Sequence, residues 1–208
     1  MPPGKARQQN LRLQIAAAAA RIMAEDGIDD FALAKRKAAR QLGLDEAHSL
    51  PRNEEVEEQL RAYQTLYQDE DQPQCLAELR DIALELMHEL SDFRPYLIGP
   101  VLKGTAGRHS DIDLQLFTDD PKAVEFRLIN QRIRYEASEK RRFTGDQARA
   151  VSVLKLDLDG VTANLAIFTL NDERSTIKTS SAGKPIDRAG IAAVERLVAD
   201  EAEAEDDA

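Results

Sequence analysis

Residues Tyr96–Phe117 read YLIGPVLKGTAGRHSDIDLQLF, and the fold is decided here. An apolar run of Tyr96, Leu97 and Ile98 ends at Gly99, a segment holding Gly104 and Gly107 follows, and Asp111-Ile112-Asp113-Leu114 closes the stretch. This pattern predicts strand, glycine loop, strand. Side chains alternate between faces along a strand, so Asp111 and Asp113 project to one side, with Ile112, Leu114 and Leu116 alternating around them.

Two carboxylates held side by side repel and raise one another's pKa unless a cation or a proton lies between them. Hard divalent cations prefer carboxylate oxygens, and Mg²⁺ typically takes one or two carboxylates plus substrate phosphates. The glycines supply the other half of such a site, because they let backbone approach a ligand and let successive N–H groups form a concavity for phosphate oxygens. The plain alternative is a solvated hairpin whose aspartates merely end a strand. Asp is disfavoured inside strands, and two of them alternate here within an otherwise apolar run, which favours the functional reading.

The stretch resembles the DNA polymerase β-like nucleotidyltransferase superfamily. That pattern is a strand ending in Gly-Ser or Gly-Gly, about ten residues, and then Asp-apolar-Asp/Glu-apolar; here Gly99-Pro100, then Val101–Ser110, then Asp111-Ile112-Asp113-Leu114. Small bacterial members also read Gly-Ser-x-Ala-Arg-Gly before Ser-Asp-Ile-Asp-Leu, and this chain keeps both glycines, a basic residue before the second, and Ser110–Leu114. Pro100 departs from the pattern, offering neither the hydroxyl nor the N–H of the family's Ser. The resemblance implies Mg²⁺ or Mn²⁺ on Asp111 and Asp113, with Gly99, Lys103, Gly104, Thr105 and Ser110 toward the phosphates of a nucleoside triphosphate, ATP being the one expected. It also implies a third metal-binding residue in the second arm of a later hairpin. That position is Asn164, a neutral ligand in VTANLAIF, with Asp157 on the neighbouring strand as a substitute if it shares the face.

The chain has 208 residues, 42% of them hydrophobic, enough for a packed core. Its net charge is −10, yet ADEAEAEDDA at the end concentrates much of the acidity, so residues 200–208 read as a disordered acidic tail and the body as nearer neutral. One cysteine, Cys75, excludes an internal disulfide; with no secretory signal and no apolar run of about 18 residues, a soluble cytoplasmic protein without a membrane partner is expected.

Along the chain, apolar periodicity predicts helices over about 8–25, 31–42, 54–67 and 74–90, the second capped by Asp29-Asp30 and ended by Gly43, with linkers at 49–53 and 69–73. Lys35, Arg36, Lys37 and Arg40 make the second helix basic. Two short helices with a tight turn resemble a tetracycline-repressor-type DNA-binding start; a solvated basic face is the plainer reading, and phosphate contacts to a triphosphate or RNA acceptor are a middle one. The short cluster and the lack of overall positive charge argue against sequence-specific DNA binding. Asp119-Asp120-Pro121 starts another helix, ending near Gln131. Arg132–Phe143 stays ambiguous between a short strand and an exposed basic rim at Lys140-Arg141-Arg142. Ala150–Leu158, Asp159-Gly160 and Val161–Phe168 form a strong hairpin signal. Asn171–Lys184 reads as a polar loop whose Arg174, Lys178, Thr179, Ser180 and Ser181 could meet a nucleotide or acceptor, and 187–199 as a short helix.

The expected fold is α+β: a nucleotidyltransferase-type mixed sheet with flanking helices over residues 74–199, preceded by a helical region over 1–73. The implied function is transfer of a nucleoside monophosphate to an unidentified acceptor, whether protein, RNA or small molecule. Pro100 and Asn164 motivate the alternative, a catalytically degenerate nucleotide-binding regulatory protein of the same fold.

Overall fold

The structure is a computed structural model and describes residues 3–28, 30–44, 50–67, 71–145, 147–179 and 184–206. Asp29, Ser49, Asp69-Glu70, Ser180-Ser181 and the last two residues of the tail, all named above, lie outside the described residues. The chain divides into two compact units: Met1–Cys75 with Thr105–Ser110, and Leu76–Gly104 with Asp111–Ala208.

The first unit is helical. Helices α1 (Pro3–Asp26), α2 (Phe31–Gln41) and α3 (Asn53–Tyr67) pack through small residues. Ala16, Ala19, Ala20, Ala34 and Ala38 are fully buried beside Ile15, Val56 and Leu60, so short side chains let the helix backbones approach closely. Asp30 caps α2, its carboxylate accepting the Ala32 and Leu33 N–H groups at 2.7 and 3.2 Å. Segment 105–110 belongs to this unit. Buried Gln64 donates to the Thr105 carbonyl at 3.0 Å and Gln72 to the Ala106 carbonyl at 2.8 Å.

Lys35 and Lys37 of α2 are engaged within the unit. Lys35 donates to the Pro51 carbonyl at 3.0 Å and to Asn53 Oδ1 at 2.7 Å, and Lys37 pairs with Asp26 at 2.6 Å. Burial holds the Lys35 ammonium below the usual lysine range.

The second unit is α+β, as expected from the sequence. Its sheet contains β1 (Tyr96–Ile98), β2 (Ile112–Phe117), β3 (Tyr135–Thr144), β4 (Gln147–Leu158), β5 (Val161–Phe168), β6 (Ile177–Lys178) and β7 (Ala189–Gly190), in the order β6-β3-β4-β5-β2-β1-β7. Among the described residues only β2 and β5 pair in parallel, which makes the sheet mixed. The register places Leu97, Leu114, Leu165 and Leu154 in one row across four strands, all fully buried. Burying each such side chain contributes on the order of 1.5–3 kcal/mol. Helices α4 (Asp71–Glu89), α5 (Gly99–Lys103), α6 (Pro121–Asn130) and α7 (Ile191–Asp206) complete the chain, and the boundary between the units falls within α4.

Three differences from the sequence reading have local causes. The expected loop after Ile98 opens with a short helix, α5, because Pro100 stands in its first turn, where a fixed φ suits the helix and a missing N–H breaks no bond. The ambiguous segment before Thr144 is a long strand, largely exposed, so it shows no apolar alternation. Helix α7 runs to Asp206, into the stretch read as a disordered tail; its repeated Ala and Glu are strong helix formers. Among the described residues no helix is long and apolar enough to cross a membrane.

Candidate nucleotide and metal site

Asp111 immediately precedes β2 and Asp113 is its second residue, so the pleat sets both carboxylates on one face. Asp113 lies opposite Ile98 of β1 on one side and Asn164 of β5 on the other. Asn164 in turn lies opposite Lys155 of β4. The hairpin fixes that last pairing: Asp159 and Gly160 both have positive φ, +53° and +97°, the geometry of a two-residue type I′ turn, and counting outward from it brings residue 155 to residue 164.

The two carboxylates converge on one atom. Asn164 Nδ2 donates to Asp111 Oδ2 at 3.0 Å and to Asp113 Oδ1 at 3.1 Å. All three residues are half-buried. The amide spreads partial positive charge between two like charges, and hydrogen bonds to ionised acceptors are stronger than neutral ones. Asp157, the substitute for Asn164 considered from sequence, lies opposite Thr162 and so shares the face of Asn164, and it accepts the Gly160 N–H at 2.9 Å.

Gly99 is shaped by Asp113. Its φ is +73°, and a Cβ there would stand 3.0 Å from Asp113 Oδ2. Backbone conformation and carboxylate position therefore both require glycine. At the far end of α5, Gly104 forms the left-handed cap at φ +76°, and Lys103 occupies the last turn. Arg80 of α4, only 6% exposed, closes this end: its Nε donates to the Val101 carbonyl at 3.1 Å, Nη2 reaches the Leu102 carbonyl at 3.4 Å, and Nη1 pairs with Glu201. Arg80 satisfies orphan helix carbonyls, a role the apolar stripe of α4 gave no sign of.

Thr105 and Ser110, grouped by resemblance with the phosphate contacts, sit in the helical unit. Thr105 is buried, its carbonyl taken by Gln64, and the Ser110 hydroxyl accepts the Gly107 N–H at 3.1 Å. Two residues beyond Asp113 on the same face lies Gln115, 1% exposed, opposite Tyr96 and Ala166. Its Oε1 has no hydrogen-bond partner among the described residues. The Tyr96 hydroxyl donates to Glu173 at 2.9 Å; burial pushes that phenol up, while Arg94, at 2.7 Å, holds the Glu173 carboxyl down.

Among the described residues no group of three or more His, Cys, Asp or Glu side chains gathers in metal-binding geometry. The donor set that does gather, two carboxylates converging on a point with an amide beside it, suits a hard cation that completes its shell with water or substrate oxygens.

No family model and no curated protein matches the chain. Among solved structures, one described as a cytoplasmic RNA terminal U-transferase is 19% identical over 56% of this chain, with a TM-score of 0.28. The match spans 29% of that longer chain. At that score the likeness defines neither activity nor substrate.

Proposed function

We propose that the protein is a nucleotidyltransferase that moves a nucleoside monophosphate from a nucleoside triphosphate, ATP in the first instance, to an acceptor hydroxyl. The observation that carries the reading is the convergence of Asp111 Oδ2 and Asp113 Oδ1 on one point of the sheet face. In this scheme an acceptor oxygen bonds to the α-phosphorus, the bond from that phosphorus to the β-phosphate bridging oxygen breaks, pyrophosphate leaves, and the hydroxyl proton passes to water. A bound Mg²⁺ or Mn²⁺ would neutralise triphosphate charge at the site. Asp111 and Asp113 would hold it through carboxylate oxygens, with the Asn164 amide oxygen as a third, uncharged ligand. Gly99 leaves room beside Asp113, and Lys103 and Gly104 lie at the end of the same short helix, where the resemblance assigns phosphate contacts.

A second reading is favoured by the Asn164 hydrogen bonds themselves. An amide that already bridges both carboxylates relieves their repulsion without metal, as a nucleotide-binding regulator that has lost turnover would need. Incubation with α-³²P-labelled triphosphates, Mg²⁺ or Mn²⁺ and a cell extract separates the two. Label on an acceptor with wild type but not with Asp111→Asn/Asp113→Asn supports the enzyme. Nucleotide binding with no labelled acceptor for any triphosphate or metal supports the regulator.

A further inference from the structure

The register carries positive charge from the carboxylate pair out along the β3–β4 hairpin. Lys155 lies opposite Asn164, so it shares the face of Asp113. Stepping along β4 by twos on that face gives Val153, Val151 and Arg149; opposite the last two, on β3, stand Lys140 and Arg142. At roughly 3.3 Å per residue, Lys155 and Arg149 are about 20 Å apart. Lys140 and Arg142 are one two-residue step apart, a separation comparable to that of successive phosphates in an extended strand.

Three observations set this face apart from an ordinary solvated surface. Lys155 and Lys140 are exposed and have no ion-pair partner among the described residues, although the chain has 38 acids against 28 Lys and Arg. On the hairpin this face carries two acids, Glu136 opposite Lys155 and Asp157 two residues along β4, against Lys155, Lys140, Arg142 and Arg149; Asp172 pairs with Arg149 at 3.3 Å. Lastly, among the described residues β3 is bonded on its outer side by β6 only at Phe143 and Thr144. On β4 the intervening Val151 and Val153 are buried, whereas Ser138 and Lys140 of β3 are exposed, so a ligand following the charge would run along β3.

We propose that this edge, through Lys155, Lys140 and Arg142, seats the phosphodiester backbone of a single-stranded nucleic acid whose end reaches Asp111 and Asp113, which makes the acceptor a nucleic-acid strand. The binding surface rests on register and charge alone; the statement about the acceptor rests on the transferase reading above. The rival explanation is that the charges only guard an open strand edge against pairing with another chain. The two separate cleanly, since a guard predicts self-association on its removal and no effect on nucleic acid.

The test is fluorescence anisotropy of full-length protein with labelled mixed-sequence RNA and DNA single strands of about 12 nucleotides, without metal or triphosphate, over a salt series. Wild type should bind, more weakly as salt rises. Lys140→Glu/Arg142→Glu should weaken binding at least tenfold, and Lys140→Gln/Arg142→Gln should flatten the log–log salt slope by about 0.7 per lost phosphate contact. Asp111→Asn/Asp113→Asn should bind as well as wild type or better, so a failed transferase assay leaves this result intact. No binding at low salt, binding insensitive to either hairpin variant with both folded by circular dichroism, or equal affinity for a poly-glutamate peptide would overturn the proposal. Aggregation of the Gln variant with unchanged anisotropy would do the same, in favour of edge protection.

Discussion

Replacing Asn164 by Asp probes the carboxylate site at its centre. In the structure Nδ2 donates to both Asp111 and Asp113, at 3.0 and 3.1 Å. The substitution Asn164→Asp would remove both donors and put a third anion against two. Leaving an ionised acceptor unpaired costs roughly 1.5–3 kcal/mol per bond, and half exposure discounts the sum, giving about 2–4 kcal/mol without metal. For a chain of this length that lowers the melting temperature of the sheet unit by roughly 5–15 °C in EDTA. A cation that binds the folded site returns RT ln(1 + [L]/Kd), about 2.7 kcal/mol at a hundredfold excess over Kd, so saturating Mg²⁺ should restore most of the loss and raise the melt more than it does in wild type. Thermal melts followed by circular dichroism, with and without Mg²⁺ or Mn²⁺, read this directly. A variant that melts like wild type in EDTA would refute the bridging role, and one that melts lower with no rescue by either metal would refute a cation site there.

Two further outcomes are expected elsewhere. Gly99→Ala forces a left-handed residue with a Cβ 3.0 Å from Asp113 Oδ2, so it should destabilise by about 1–2 kcal/mol and weaken nucleotide binding as well; a denaturant midpoint unchanged from wild type would contradict the close packing. Glu55 accepts the Arg52 N–H at 2.6 Å and the Arg12 guanidinium at 2.5 Å, and these, the backbone bond foremost, hold its folded pKa below the usual value. A depressed carboxyl contributes stability that is complete above the unfolded pKa and fades as pH falls through the folded one. Wild type should therefore melt higher than Glu55→Gln near neutral pH, with the difference starting to shrink as pH falls below the unfolded glutamate pKa of about 4.3 and vanishing below the lower folded one; a constant difference across that range would show that the charge is not the cause.

The parts of the fold legible in the sequence are those where one face is buried and the other is not. Leu114, Leu165 and Leu154 alternate with polar residues, and the Asp159-Gly160 turn fixes how their strands pair, so β2, β4 and β5 and the neighbourhood of Asn164 could be read before any coordinates. Lys155 was within reach of the same count from the turn, yet an exposed lysine in a strand gives no signal of its own. The sequence left β3 ambiguous because most of its own side chains are exposed, so no apolar alternation marks it. At Pro100 the missing donor was legible, and the helix start that the residue also provides was not. The resemblance directed Thr105 and Ser110 toward the phosphates; the contacts that pack them, from Gln64 to the Thr105 carbonyl and within the 107–110 turn, leave no local pattern in the sequence.

The most direct measurement is isothermal titration calorimetry of the protein with Mg²⁺ and ATP, then with each of the other triphosphates, in wild type and in Asp111→Asn/Asp113→Asn. The account predicts metal-dependent nucleotide binding in wild type and its loss, or a weakening of at least tenfold, in the folded double variant. Metal-dependent binding of undiminished affinity in that variant would contradict the assignment of the site.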